Sequence, residues 1–315
     1  MWNSFSFKGR AIVIHRTGDV VPLEVRFLRN VARVISYLGE VSAIVATRPV
    51  RAILTGELLL RDNPRIAFLP RRPQPWYAVW SVCRLARIDI VDDPEDADLL
   101  FYFEDCETSP VSHPDGTING RCTDIRKSLV AGHFEEVFGY SLAVDPLNHA
   151  GPMVVKSERN GCHDGRIEMG PLAAAAPGMV YQRLVDATDD GVSYTDYRTY
   201  VVGSRLSVVF IKRRHGAIRF SNDNDQVSLS TPTECFSETE QAQIIRFAGR
   251  MGLEFGGMDI LRDRHDGGLY IVDVNKTDMG PPIAMEQLKK RPAMQRLAAD
   301  FRRMVDERLG RRPTL

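Results

Sequence analysis

Apolar residues along the chain follow two rhythms, and each rhythm predicts an element. Over residues 25–38 and 76–86 they recur three to four apart, the spacing of an amphipathic helix. Short runs such as Ala11-Ile12-Val13-Ile14, Ile88-Asp89-Ile90-Val91 and Leu99-Leu100-Phe101-Tyr102-Phe103 have the length and content of buried strands. Together these segments predict a small open α/β sheet over residues 10–118. It has the style of a nucleotide-binding fold but lacks that fold's glycine fingerprint. A loop containing Gly and Pro over residues 109–120 predicts a boundary.

Beyond that loop the alternation of elements changes. Asp124 is the predicted N-cap of a helix reaching to about Phe138. A strand over 152–157 ends on Lys156 and runs into a polar loop carrying Gly161, His163, Asp164 and Gly165. Another strand covers 179–185, and residues 197–211 predict a hairpin turning at Gly203-Ser204. Ser237-x-x-Glu240 is a capping box that opens a helix to Met251, and a charge-rich amphipathic helix covers 293–309. Between these helices lie two strand-like runs, 256–261 and 269–275, joined by the turn-rich stretch 264–268. Side chains alternate along a strand, so Asp273 and Asn275 share a face, and Asp259 joins them if the two runs pair. Two carboxylates and an amide oxygen on one face suit a hard divalent cation such as Mg²⁺. A plain hairpin whose Asp and Asn cap its ends is the competing reading.

Composition narrows the class. With 315 residues, 43% hydrophobic and 26% charged, the chain reads as a soluble globular protein of two or three lobes. Its 41 basic and 41 acidic residues cancel, which gives no general electrostatic pull toward nucleic acid or membrane. Cys83, Cys106, Cys122, Cys162 and Cys235 are scattered, odd in number and without a CxxC pair. Reduced thiols in the cytoplasm are therefore expected. No apolar signal segment follows Met1, and no run approaches the roughly 18 apolar residues of a membrane span.

The order of these elements resembles the ATP-grasp superfamily, most closely its glutathione synthetase and ribosomal-protein glutamate ligase branch. The likeness covers about residues 120–290: a strand ending in lysine, a glycine loop, a strand with Gln182, the Asp196-x-Arg198 strand, a long helix, and strands bearing Asp259 and Asp273-x-Asn275. It implies an α/β fold in which two sheet-containing subdomains hold the nucleotide, preceded by the small open-sheet lobe. The implied divisions are 1–118, 119–184 and 185–315.

By the same resemblance, Lys127 and Lys156 contact nucleotide phosphates, and the loop with Gly161, His163 and Gly165 closes over them. Gln182, Arg183, Leu184 and Val185 form the hinge that reads the adenine edge, although relatives commonly carry an acidic residue at the Arg183 position. Asp186 or Asp189 holds the ribose. Arg198, Lys212 and Arg213 neutralise the transferred phosphoryl group, the bland alternative for Arg198 being an ion pair with Asp196. Asn222 and Asn224 border the substrate. Asp259, Asp273 and Asn275 hold one or two Mg²⁺, with Asp273 standing where relatives usually have Glu. The activity implied is ATP-dependent joining of a small-molecule or peptide carboxylate to an amine through an acyl phosphate, in a superfamily where homodimers are common. A phosphotransferase and a nucleotide-binding protein of reduced activity remain open beside it.

Overall fold

The computed structural model describes residues 5–8, 11–14, 19–22, 25–55, 63–109, 111, 113–159, 161–162, 164–188, 191–216, 220 and 224–311. Among them the chain forms four separate open sheets. Strands β1 (Phe5–Lys8), β2 (Ala11–Ile14) and β3 (Asp19–Pro22) make an antiparallel meander leading into helix α1 (Val25–Thr55). The helix runs well past residue 38 because its apolar stripe continues: Tyr37 and Val41, one turn apart, are both buried.

A parallel sheet follows, in the order β5-β4-β6, from β4 (Arg65–Pro70), β5 (Asp89–Val91) and β6 (Leu99–Phe103). Helix α2 (Ala78–Leu85) connects β4 to β5. Periodicity gave no signal for the central strand β4. Ile66, Ala67 and Phe68 are buried in succession, as a strand covered on both faces must be, so the two-residue alternation is missing.

Helix α3 (Lys127–Phe138) begins with Arg126 at its N-cap and no side-chain cap. Asp124, expected there, sits two residues earlier and accepts from the Arg126 amide at 3.0 Å and from its guanidinium. That local turn competes with capping for the same carboxylate. The third sheet, β8-β7-β9, is antiparallel and centres on β7 (Gly151–Ser157), flanked by β8 (Arg166–Gly170) and β9 (Met179–Arg183).

The fourth and largest sheet runs β12-β11-β10-β13-β14 and is antiparallel throughout. Its strands are β10 (Ser193–Val202), β11 (Arg205–His215), β12 (Gln226–Ser230), β13 (Phe255–Arg262) and β14 (Leu269–Asn275). The β10–β11 turn is Gly203-Ser204, as expected, with Gly203 at φ 61°, the left-handed first position of a tight hairpin. Between β12 and β13 come a single turn, α4 (Pro232–Cys235), and α5 (Glu238–Met251), whose N-terminus carries the full Ser237–Glu240 capping box. After β14 comes α6 (Gln287–Arg308).

Two cores cover the opposite faces of this sheet. On one face Val201, Val209, Met258 and Val274 pack with α3 and α5 through Phe134, Ile244 and Phe247. On the other, Tyr200, Val202, Val208 and Phe210 pack under α6, in one core with α2, β4 and β6. That second face changes character along the strands. Val202 and Tyr200 give way to Arg198 and Asp196 on β10, and Val208 and Phe210 give way to Lys212 and Arg214 on β11. Where the helix cover stops, charge begins.

Candidate active site

The charged half of the sheet gathers residues from four neighbouring strands. Arg198 on β10 lies directly opposite Asp259 on β13, and Asp259 lies directly opposite Asp273 on β14. Asn275 faces Gly257 two residues further along. Direct cross-strand partners project to the same side, so Arg198, Asp259, Asp273 and Asn275 share one face. A register shift follows Asp259, between it and Ile260: Val272 is the extra residue on β14, and it lets Ile271 join Ile260 on the buried face.

Hydrogen bonds join these groups into a ladder of alternating charge. Lys212 donates to Asp259 Oδ1 at 3.1 Å, and Arg198 Nη1 donates to Asp259 Oδ2 at 2.7 Å. Arg198 also grips Asp278 with two bonds, Nε at 2.9 Å and Nη2 at 2.6 Å. Burial alone would raise the Asp259 pKa, yet Arg198 and Lys212 hold it well below the usual carboxylate range. Arg198 stays charged despite its burial because of Asp259 and Asp278.

Asp273 behaves differently. Its Oδ1 is buried and has no hydrogen-bond partner among the described residues. Burial pushes its pKa up, against the opposing pull of Lys127 and Lys156. An orphaned carboxylate oxygen beside a second carboxylate and an amide oxygen is a donor set that fits a hard divalent cation.

The smaller sheet and helix α3 supply cations to this face. Lys156, the last residue but one of β7, donates to the Val272 carbonyl at 3.1 Å, which places its ammonium against β14 next to Asp273. Burial pushes its pKa down to about 8, partly offset by Asp273. Lys127, at the first turn of α3, donates to the Arg159 carbonyl at 2.7 Å. Glu158 accepts from the Ser128 amide and hydroxyl, so the loop after β7 is tied to the N-terminus of α3. In that loop Gly161 has φ 73°, and a Cβ on Gly165 would fall 2.5 Å from the Phe220 ring. His163, Asp189 and Asn222 lie outside the described residues.

The four residues expected at a hinge divide. Gln182 is buried, its Nε2 has no partner among the described residues, and its backbone bridges Ala143. Arg183 turns toward the β13–β14 turn, 3.5 Å from Asp266 and over the Tyr270 ring, while its amide donates to Leu142. Leu184 follows it outside any strand, and Val185 is buried in the core beneath α3. Asp186 accepts from the Thr188 amide and hydroxyl and lies 3.2 Å from His265.

Three placements differ from the sequence reading. Arg198 does not pair with Asp196, whose carboxylate is taken by Arg214. Arg213 alternates to the opposite side of β11 and is exposed, so the basic residues of this strand that share the Arg198 face are Lys212 and Arg214. Asp278 was not anticipated at all. Its signal was indirect: a Cβ on Gly257 would fall 2.6 Å from both Arg198 Nε and Asp278 Oδ2, so the Gly256-Gly257 pair marks a close side-chain crossing.

No family model matches the chain. Over 127 residues it is 31% identical to a probable alpha-L-glutamate ligase of Xylella fastidiosa (strain M12), covering 40% of this chain and 39% of that protein. The chain thus spans about two fifths of the length of the curated relative it matches. Among solved structures it is similar to the ATP-grasp ligase PsnB, complexed with a phosphomimetic variant of its minimal precursor, Mg and ADP. That likeness has a TM-score of 0.51 and 14% identity, over 79% of this chain and 99% of that one. The VanG D-Ala:D-Ser ligase from Enterococcus faecalis gives a TM-score of 0.47 and 12% identity, over 79% and 99%. The PsnB likeness is one of fold: the chain has the ATP-grasp fold.

Proposed function

We propose that this ATP-grasp chain is an ATP-dependent carboxylate–amine ligase, forming an amide bond to a small-molecule or peptide carboxylate. The observation that carries the reading is the placing of Asp273, with its orphaned oxygen, and Asp259 near the Lys156 ammonium, with Arg198 alongside. Acidic oxygens for cations and ammonium groups for phosphates meet there, as transfer of a phosphoryl group requires.

Asp259, Asp273 and Asn275 would hold one or two Mg²⁺. Bound there, the metal supplies charge neutralisation on phosphate oxygens. Lys156 and Lys127 bind the phosphate chain as point charges, exchanging carbonyl partners for phosphate oxygens. Gln182 presents a buried amide donor to the base. The substrate carboxylate attacks the γ-phosphorus, ADP leaves, and Arg198 and Lys212 offset the charge of the phosphoryl group in flight. The amine nitrogen then attacks the acyl carbon of the acyl phosphate, and phosphate departs. The five free cysteines fit a reducing, cytoplasmic setting.

The test is incubation with ATP, Mg²⁺ and pooled carboxylates and amines, following ADP and amide product. A phosphorylated product that accumulates without amine would replace the ligase with a kinase. Asp273→Asn should lower metal-dependent ADP formation by about 100-fold or more, as removal of a charged group from a transition-state site does. Unchanged turnover would remove Asp273 from the metal site.

A further inference from the structure

We infer that Asp278 is a positioning residue for Arg198, and that through it the amino-terminal lobe sets the orientation of the guanidinium. The inference rests on the ligase reading only for the role given to Arg198.

A guanidinium has five N–H donors in a fixed planar fork. Asp278 takes two of them in a bidentate grip, through Nε and Nη2, and Asp259 takes a third through Nη1. Arg198 is buried and Asp278 nearly so, with side chains 7% and 10% exposed, so solvent screens the grip little. The remaining donors are left for a ligand. Without Asp278, the nearest anion for Arg198 is Asp259, which already accepts from Lys212. A guanidinium drawn fully onto Asp259 would compete for the carboxylate that the cation needs. The grip from the side therefore keeps Arg198 beside the carboxylate pair rather than on top of it.

Space for the grip is built into β13. Gly257 lies where any side chain would collide with both partners, at 2.6 Å from Arg198 Nε and from Asp278 Oδ2. The loop that carries Asp278 is held by the other lobe. Ala78, at the start of α2, donates to the Asp278 carbonyl at 2.9 Å, and Gly280 donates to the Trp76 carbonyl at 3.3 Å. Met279 bridges Tyr77, and Thr277 donates to Asp105 at 3.1 Å. Three residues of the amino-terminal lobe and three of the loop thus form a short antiparallel pairing directly behind the Arg198 clamp. A residue merely filling space would need neither the bidentate geometry nor the clearance at Gly257.

The experiment compares wild type with Asp278→Asn, Asp278→Glu and Gly257→Ala by two readouts. The first is the exchange rate of the Arg198 Nε–H by NMR in the protein without ligands, its resonance assigned with Arg198→Lys. The second is steady-state ADP formation from MgATP with the carboxylate and amine pool. Asp278→Asn is expected to speed Nε–H exchange by on the order of tenfold or more, as loss of a protecting bond does. It should lower kcat by about 10–100-fold, the effect of a misplaced charge, and leave KM for ATP within about twofold. Asp278→Glu should restore part of kcat. Gly257→Ala separates the same pair without removing a charge, and covers the case in which Asp278→Asn does not fold. Exchange and kcat unchanged in both variants would overturn the inference. So would a lower KM for the carboxylate in Asp278→Asn with kcat retained, since Asp278 would then be a competitor for the substrate's seat. If wild type forms no ADP, the ligase reading fails, and the exchange rate alone decides whether Asp278 holds Arg198.

Discussion

In the proposed ligase, Lys156 is both a phosphate-binding group and a titrating one. Its ammonium sits against the Val272 carbonyl in a desolvated place that pushes its pKa down to about 8. A lowered amine pKa means that the charge is present below pH about 8 and lost as pH rises through it. The free protein should therefore lose kcat/KM for ATP above pH about 8, with the slope of a single group. In kcat the same fall should come at higher pH, because bound phosphate favours the charged form. Lys156→Arg should abolish the fall, and a profile flat to pH about 10 in wild type would show that Lys156 does not bind phosphate as a cation. The residue type and its place at a strand end were readable in the sequence. The shift was not, because it depends on β14, more than a hundred residues away.

At the scale of elements, local chemistry was the most legible. The Ser237–Glu240 box, the Gly203-Ser204 turn and the alternation of Asp273 with Asn275 each depend on neighbours in the chain, and the structure has all three. Ser237→Ala removes the bond that the Glu240 amide donates to the hydroxyl, and should cost about 1 kcal/mol of stability. Chemical denaturation would measure it, with ADP formation at room temperature as the control that stays level. What could not be read was set by long-range pairing. Strand β4 is buried on both faces and so has no alternation to detect. The phase of β11, which sends Arg213 outward and Arg214 inward, is fixed only by its register with β10. Asp124 looked like a cap until its own local turn with Arg126 took the carboxylate.

Over the whole molecule, the seam between the region of the parallel sheet and the large sheet is joined by a few buried polar groups. Asn119, fully buried at φ 60°, donates to the Phe255 carbonyl at 2.7 Å and accepts from the Glu254 and Phe255 amides at 2.8 and 2.9 Å. Asn119→Ala strands those backbone groups and puts a Cβ residue without a local hydrogen bond in the left-handed region. We expect a loss on the order of 3 kcal/mol by denaturant titration. Lys276 adds a second tie, with its buried ammonium donating to the Tyr102 hydroxyl at 2.9 Å. Helix α6 makes the larger connection. Phe301, Leu297 and Val305 lie in the same core as Phe101, Val82 and Ile66, so the helix that follows the large sheet completes the core of the parallel sheet that precedes it. The two regions are therefore not exchangeable cassettes. A chimera that replaces residues 63–118 with the lobe of a relative would need the matching α6 as well, and a graft that keeps the native helix would present one lobe's core to the other's side chains.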